Sequence, residues 1–196
     1  MNSRKKIEFN THKQKSVLGW TLPLLLLGII AISCSEEDAS LLHRYSSQGN
    51  VDEVKRLISS GVSVNKKNSD GYAPVHLAVK AGHKDILMVL IDNGADINAE
   101  AIYGDTPLHI AAAYGQMDVV KILLSSGAKI NAENGYKNTP LHRAVNEGHK
   151  GVVEMLIEKG ANINARTKFD DTPLNVAIKT GNKQIIQLLE NNGAVK

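Results

Sequence analysis

Three evenly spaced histidines and a single cysteine are the side chains in this sequence best suited to chemistry. His76, His109 and His142 could ligate a metal ion or transfer protons, since imidazole does both near neutral pH. Cys34 could act as a nucleophile or accept a lipid, but one thiol cannot form an internal disulfide or a cysteine-based zinc site. The chain has no His-Glu-x-x-His, Gly-x-Ser-x-Gly or phosphate-loop motif. We therefore expect no enzymatic activity, no cofactor and no metal.

The spacing of these histidines belongs to a repeat of 33 residues that runs through most of the chain. A four-residue motif recurs at this interval as Ala73-Pro74-Val75-His76, Thr106-Pro107-Leu108-His109, Thr139-Pro140-Leu141-His142 and Thr172-Pro173-Leu174-Asn175. Ser40-Leu41-Leu42-His43 stands one interval earlier. A second motif recurs as Gly94-Ala95-Asp96-Ile97-Asn98-Ala99, Gly127-Ala128-Lys129-Ile130-Asn131-Ala132 and Gly160-Ala161-Asn162-Ile163-Asn164-Ala165. Each histidine thus lies in a different unit, and separate units cannot bring all three onto one metal ion.

The pattern within one unit predicts two short helices. Thr106 can cap the first helix, Pro107 suits its first turn, and Gly115 can adopt the left-handed conformation that ends it. The second helix carries a wide apolar stripe with Lys121 on the outer face, and this stripe consists of Val119, Val120, Ile122, Leu123 and Leu124. One such pair cannot bury its own apolar faces, so neighbouring units must stack.

A 33-residue period with the motif Thr-Pro-Leu-His closely resembles the ankyrin repeat, and the resemblance covers residues 40–194. It implies an all-α ankyrin-repeat solenoid of helix-turn-helix pairs with β-hairpin-like fingers, about five repeats within a domain of residues 40–196. The units start near residues 40, 73, 106, 139 and 172. The resemblance also implies that the repeated histidines hydrogen-bond to backbone between neighbouring units. Polar residues on the outer faces, namely Glu53, Arg56 and Glu190, predict five units with both termini complete.

The resemblance implies a function in protein binding, because ankyrin arrays contact partners through finger tips and the exposed face of the first helix. The predicted protein-binding residues at these positions are Tyr72, Ile102, Tyr103, Asp105, Tyr114, Tyr136, Asn138, Glu147, Phe169 and Asp171. Five of the six aromatic residues after Cys34 belong to this set. Aromatic side chains are efficient interface anchors, but here they could instead pack against neighbouring fingers for stability. Both interpretations are open from the sequence.

Residues 1–33 have the organisation of a signal peptide. A basic stretch precedes the uncharged, mostly apolar stretch from Val17 to Ile32, which would span ~24 Å as a helix, short of the bilayer core of about 30 Å. A cleaved signal is therefore favoured over a permanent membrane helix. The run Ile30-Ala31-Ile32-Ser33-Cys34 resembles a bacterial lipobox, in which cleavage before the cysteine is coupled to lipidation of its thiol. Ala31 and Ser33 also fit an ordinary small-residue cleavage site at the same bond.

The residues that follow Cys34 predict the destination of the anchor. Residues 34–39 would form the lipidated cysteine and a short linker, and residues 35–39 would reach roughly 17 Å if extended. Ser35 resembles an outer-membrane sorting signal, and the acidic run Glu36-Glu37-Asp38 resembles the surface-export tags of some bacterial lipoproteins. The acids can equally favour the positive end of a following helix. We expect a lipid-anchored protein of the bacterial cell envelope, in the outer membrane, on its periplasmic side or at the cell surface.

The charge distribution argues against a nucleic-acid partner. The chain has 23 Lys and Arg against 20 Asp and Glu, but five of the cations and one of the anions precede residue 34, which leaves 18 against 19. A nearly neutral array has no electrostatic footprint for nucleic acid. We therefore predict a membrane-anchored module that binds an envelope or surface protein and has no small-molecule substrate. The alternatives are a structural spacer and an accessory or stabilising subunit of a periplasmic enzyme.

Overall fold

The helices of the chain follow the 33-residue period. A computed structural model describes residues 36–195, so the predicted signal peptide and Cys34 lie outside the described residues. Within this range ten helices are present and no strand is assigned. The helices are α1 (36–48), α2 (Val51–Ser59), α3 (Pro74–Ala81), α4 (Lys84–Asp92), α5 (Pro107–Ala113), α6 (Met117–Ser125), α7 (Pro140–Asn146), α8 (Lys150–Glu158), α9 (Pro173–Thr180) and α10 (Lys183–Asn191). They form five antiparallel pairs, which confirms the predicted all-α solenoid of about five repeats.

The first helix of each internal unit begins as its sequence predicts. Thr106 has the extended backbone of an N-cap residue, with φ −84° and ψ 166°, and Pro107 occupies the first turn of α5. The hydroxyl of Thr106 lies 2.9 Å from His109 Nδ1, and the backbone N–H of Thr106 donates to the same nitrogen over 3.1 Å. Gly115 has φ 68° and ends the pair's first helix in the left-handed region that favours glycine.

The core of the array is continuous from unit to unit. Equivalent leucine or valine side chains of the first helices are all at most 1% exposed, at Leu42, Val75, Leu108, Leu141 and Leu174. The second helices add a buried row in which α6 contributes Val119, Val120 and Leu123. Helix α5 packs against both α3 and α7, and α7 packs against α9. Each helix pair therefore buries its apolar faces against its neighbours, as expected for a solenoid.

The segment before the first unit is helical where a linker was expected. Residues 36–39 belong to α1, and Ala39 is only 4% exposed. The carbonyl of Ala39 accepts a hydrogen bond from His43 Nδ1 at 2.6 Å, which ties this turn to the body of the first unit. Residues in a helix advance ~1.5 Å each rather than ~3.5 Å, so the reach of roughly 17 Å that an extended linker would have is reduced.

Among residues 36–195, no helix has the length and apolar character needed to cross a membrane.

Candidate protein-binding surface

The fingers between units are compact turns closed by hydrogen bonds within each finger. In the finger that joins the third unit to the fourth, the Asn134 N–H donates to the Asn138 carbonyl over 3.0 Å. The Asn134 side-chain oxygen accepts the N–H groups of Tyr136 and Asn138, at 2.9 and 3.0 Å. The geometry is hairpin-like, as predicted, although no strand is assigned in the described residues. Such closed turns give the tip residues fixed positions.

Hydrogen bonds between backbones also join three successive finger tips. The Gly135 N–H donates to the Tyr103 carbonyl over 2.8 Å, and the Lys168 N–H donates to the Tyr136 carbonyl over 3.0 Å. The side chains at these tips remain exposed: Tyr103 is 63% exposed, Tyr136 48% and Phe169 74%. The one ring–ring contact among the described residues joins Tyr72 to His76, so the three tip rings do not stack on one another. Backbone bonds, rather than ring packing, hold these tips together.

A cleft of about 570 Å³ opens between the second finger, which contributes residues within 100–104, and the third finger, which contributes residues 133–136. The apolar side chains in its wall are Ile102, Tyr103 and Tyr136, and Ile102 is 62% exposed. An exposed glutamate from each finger, Glu100 or Glu133, also lines it. Lys168 of the fourth finger is the remaining charged residue of the wall. The structure thus brings three of the predicted contact residues into one site.

Glu100 and Glu133 were not among the predicted contact residues, although their positions carry a signal. They lie 33 residues apart, and each stands three positions before a predicted tip aromatic, Tyr103 or Tyr136. Their proximity to the rings depends on how adjacent fingers stack. That arrangement is a property of residues a full repeat apart, and no local pattern contains it.

Two predicted contact residues, Tyr72 and Asn138, serve the array itself. Tyr72 is half-buried against the core, and its ring meets the His76 ring edge-on at a centroid distance of 5.8 Å. Asn138 is also half-buried, and its carbonyl accepts the hydrogen bond from His109 Nε2 at 2.9 Å. Their contacts are intramolecular, and we leave both out of the candidate surface.

The two predicted aspartates are likewise engaged inside the array. Asp105 accepts a 2.6 Å hydrogen bond from the Asn134 side chain and lies 3.9 Å from the Arg143 guanidinium. Asp171 accepts a 2.6 Å bond from the Lys179 ammonium. The side chains of both aspartates are only about a fifth exposed, at 22% and 21%. A partner would have to displace these internal bonds, so we leave the two aspartates out as well.

The last two predicted residues, Tyr114 and Glu147, lie at helix ends. Tyr114 is the C-cap of α5 and is 52% exposed, while Glu147 is the exposed C-cap of α7. The Glu147 carboxylate accepts a 2.9 Å hydrogen bond from the Asn146 side chain. Neither residue lines the cleft between the fingers.

Each repeated histidine joins its own helix to the finger that leads into the next unit, so its acceptor lies at the end of the same 33-residue unit and not in the neighbouring unit that the resemblance implied. His76 Nε2 donates to the Ala99 carbonyl, His109 Nε2 to Asn138 and His142 Nε2 to Asp171, at 2.9, 2.9 and 3.2 Å. Each Nδ1 accepts a backbone N–H three residues earlier, so Nε2 carries the hydrogen of the neutral ring. Burial lowers the pKa of all three histidines below the usual range of imidazole. In the part of the chain that the structure describes, no three His, Cys, Asp or Glu residues are grouped so that they could hold a metal ion.

A second cleft, of about 440 Å³, lies on the side of the array formed by the second helices. Its floor is apolar, with Ile122, Leu124 and Met155, and Lys121 and Lys159 stand at its edges. It has no aromatic residue in its wall. Lys121 therefore lies on the opposite side from the fingers, as predicted, but it borders a cleft of its own.

The stacked helix pairs, the bridging side chains and the protruding fingers define a helical-repeat solenoid of the kind that presents a surface to other macromolecules. A family model described as "Ankyrin repeats (3 copies)" matches residues 42–134, 95–167 and 131–196, which together cover residues 42–196. The chain belongs to the ankyrin-repeat family, whose members are interaction modules for proteins. A search of curated proteins gives no significant match.

Proposed function

We propose that this protein binds a partner protein of the bacterial cell envelope through a finger surface. We define the finger surface as Ile102, Tyr103, Tyr136 and Phe169. The single observation that carries the proposal is that these large apolar side chains are 48–74% exposed although their fingers are already bonded to one another. Exposed apolar patches on soluble domains commonly mark interaction sites.

The stability interpretation of the tip aromatics is disfavoured by their contacts. Rings that stabilised the stack would be buried against a neighbouring finger, as Tyr72 is against His76. Tyr103 and Phe169 instead leave most of their surface in water. Tyrosine and phenylalanine lose little conformational entropy on binding, and the bonded tips hold their backbones in place before a partner arrives. A spacer without a specific partner would have no use for this arrangement.

The proposal is tested by Tyr103→Ala combined with Tyr136→Ala. Truncation of a central interface aromatic commonly costs on the order of 2 kcal/mol, which is roughly 30-fold in affinity. We expect the double variant to lose the partner that the wild type crosslinks in native membranes, while its melting temperature stays nearly unchanged. Quantitative crosslinking followed by purification measures the first effect, and circular dichroism measures the second.

Met88→Ala is the matched control, because Met88 is a 46% exposed apolar side chain on α4, away from the fingers. It should change neither capture nor melting. A double tyrosine variant that melts much earlier than the wild type would show that the rings stabilise the fingers. A double variant that captures the partner normally would remove the finger surface as the binding site.

We further propose that Cys34 carries a lipid and holds the array at the outer membrane, facing the periplasm or the cell surface. The support is the lipobox-like run that ends at the chain's single cysteine, after a basic and an apolar segment. Only Ser35 separates Cys34 from residue 36, where the described part of α1 begins. A tether this short favours a partner that is itself a membrane protein, a lipoprotein or an envelope-bound enzyme.

The anchor is tested by Cys34→Ala, because no other residue of the chain can form the thioether to a diacylglyceryl group. In detergent phase separation the wild type should enter the detergent phase. The variant should remain unprocessed, or be cleaved without a lipid and enter the aqueous phase. If wild type and variant both enter the aqueous phase, the chain is not lipidated.

A further inference from the structure

We infer that the cleft between the second and third fingers recognises a basic side chain, arginine above all, in an extended segment of the partner protein. The inference rests on the proposed function of the finger surface and adds the chemistry of the partner. It follows from the two kinds of group that line the cleft together, tyrosine rings and free carboxylates.

The two carboxylates of the cleft are available to a ligand. Glu100 and Glu133 are exposed, and neither side chain takes part in any ion pair or hydrogen bond among residues 36–195. Other acids of the fingers are used internally, as Asp105 is by Asn134 and Asp171 by Lys179. The cleft therefore presents two negative charges that the array does not neutralise by direct contact.

The cations at the equivalent positions of the outer fingers form no ion pair with these carboxylates. The positions equivalent to Glu100 and Glu133 on the outer fingers are Lys67 and Arg166. The Lys67 ammonium donates to the backbone carbonyl of Glu100 over 2.6 Å, and the Arg166 guanidinium pairs with Asp170 at 2.8 Å. Lys168, which lines the cleft, is a single cation against two carboxylates. Among the charged residues that line the cleft, the two glutamates outnumber the one lysine, which favours a cationic ligand.

The rings of the cleft suit a cation as well as an apolar group. A guanidinium or ammonium over a tyrosine face gains about 0.5–1 kcal/mol at an exposed site. Arginine fits best, since its planar guanidinium can stack on a ring and also bind a carboxylate with two parallel N–H groups. Its aliphatic stem would lie along Ile102, which is 62% exposed. An acidic segment or a nucleic acid would be repelled by Glu100 and Glu133.

The test is a selection from a displayed library of random linear peptides against the full chain in a mild nonionic detergent. We expect the selected peptides to be enriched in arginine and lysine and to bind more weakly as salt is raised. Glu100→Gln combined with Glu133→Gln should weaken their binding roughly tenfold, because two exposed charge interactions are lost while the shape is kept. Circular dichroism should show an unchanged fold, since neither carboxylate has a partner within the array.

Glu154→Gln combined with Glu158→Gln is the matched control, since it makes the same change of charge at two exposed residues of α8, away from the fingers. It should leave peptide binding unchanged. This inference would be overturned, and the proposed function left intact, by neutral or acidic peptides whose binding depends on Tyr103 and Tyr136. The binding of such peptides would be unaffected by the Glu100 and Glu133 substitutions. A selection that yields no peptide dependent on the cleft would also overturn it, and crosslinking in native membranes would still decide the proposed function.

Discussion

Replacement of His142 by asparagine should lower the free energy of unfolding at neutral pH. It should also make the free energy of unfolding less sensitive to acid. The chain contains its own precedent, because Thr172-Pro173-Leu174-Asn175 stands one repeat after Thr139-Pro140-Leu141-His142. Asn175 Oδ1 accepts the N–H and the hydroxyl of Thr172 at 3.0 and 2.8 Å. His142 Nδ1 makes the same two contacts with Thr139 at 3.2 and 2.9 Å. The substitution therefore preserves the helix cap.

The variant loses the bridge from His142 Nε2 to the Asp171 carbonyl, a hydrogen bond of 3.2 Å in a half-buried position. A typical intramolecular hydrogen bond contributes about 0.5–1.5 kcal/mol to the free energy of unfolding. Because the Asp171 carbonyl is only partly shielded, water can replace the lost donor. We therefore expect a loss near the middle of that range, about 1 kcal/mol, above pH 7.

The sign of the pH effect follows from the direction of the pKa change. Burial lowers the pKa of His142 in the folded protein below 6.5, the ordinary value of a histidine side chain. Below that pH the unfolded chain binds a proton that the folded chain does not, so the free energy of unfolding falls as the pH falls. The stability contributed by the neutral, bridged ring is complete above pH 6.5 and declines by up to about 1.4 kcal/mol per pH unit until the folded pKa is reached.

The variant lacks this titration, so its free energy of unfolding should fall less steeply than that of the wild type below pH 6.5, and the difference between the two should narrow there. Urea unfolding of the full chain in detergent, followed by circular dichroism from about pH 7.5 to about pH 5, measures both curves. Lys55→Asn, at an exposed site on α2, is the control, and its free energy of unfolding should change with pH in parallel with that of the wild type. Parallel curves for the His142 variant would refute the reasoning, because they would show that His142 binds protons equally in both states.

The remaining predictions concern the modular stack and the bonded finger tips. Deletion of residues 106–138 removes one whole unit and lets α3 meet α7, so the protein should stay helical and lose stability. Deletion of residues 106–122 removes half a unit and should unfold the protein. Equal circular dichroism spectra for the two deletion variants would contradict a modular stack. Gly104→Ala adds a Cβ 2.8 Å from the Gly135 backbone nitrogen at φ 79°, while Gly94→Ala adds one at φ 81° with no atom within 4 Å. In both variants the left-handed backbone should lower the free energy of unfolding by about 1–2 kcal/mol. Gly104→Ala should lower it further and weaken partner binding, because its Cβ pushes the two finger tips apart. Equal melting temperatures for the two variants would mean that the finger tips separate without cost.

The repeat pattern accounts for most of the fold because the interactions that define each unit are local. Thr106, Pro107 and Gly115 lie within ten residues of one another, and each acts through its own conformation or through a neighbour in the same turn. The apolar stripe of α6 likewise depends only on helical periodicity. Stacking then follows from the need to bury these faces.

The sequence alone could not tell which of the predicted contact residues are already engaged within the array. Tyr72 and Asp171 were predicted by register to face a partner, yet Tyr72 packs on His76 and Asp171 binds Lys179. The outcome depends on which side chain a neighbouring element offers, and this differs from unit to unit. The local sequence pattern does not predict which neighbour each side chain meets, because equivalent positions of the repeat have similar sequences.

The sequence by itself determined the ankyrin-repeat solenoid and the five helix pairs, because both depend on a period of 33 residues and on short-range backbone preferences. Only the tertiary structure decided that α1 includes residues 36–39 and that Glu100 and Glu133 share a cleft with Tyr103 and Tyr136. The physical reason is distance along the chain. Side chains from adjacent fingers meet only after whole units have stacked, and hydrogen bonds between residues 32 apart then set which rings and which charges face the solvent.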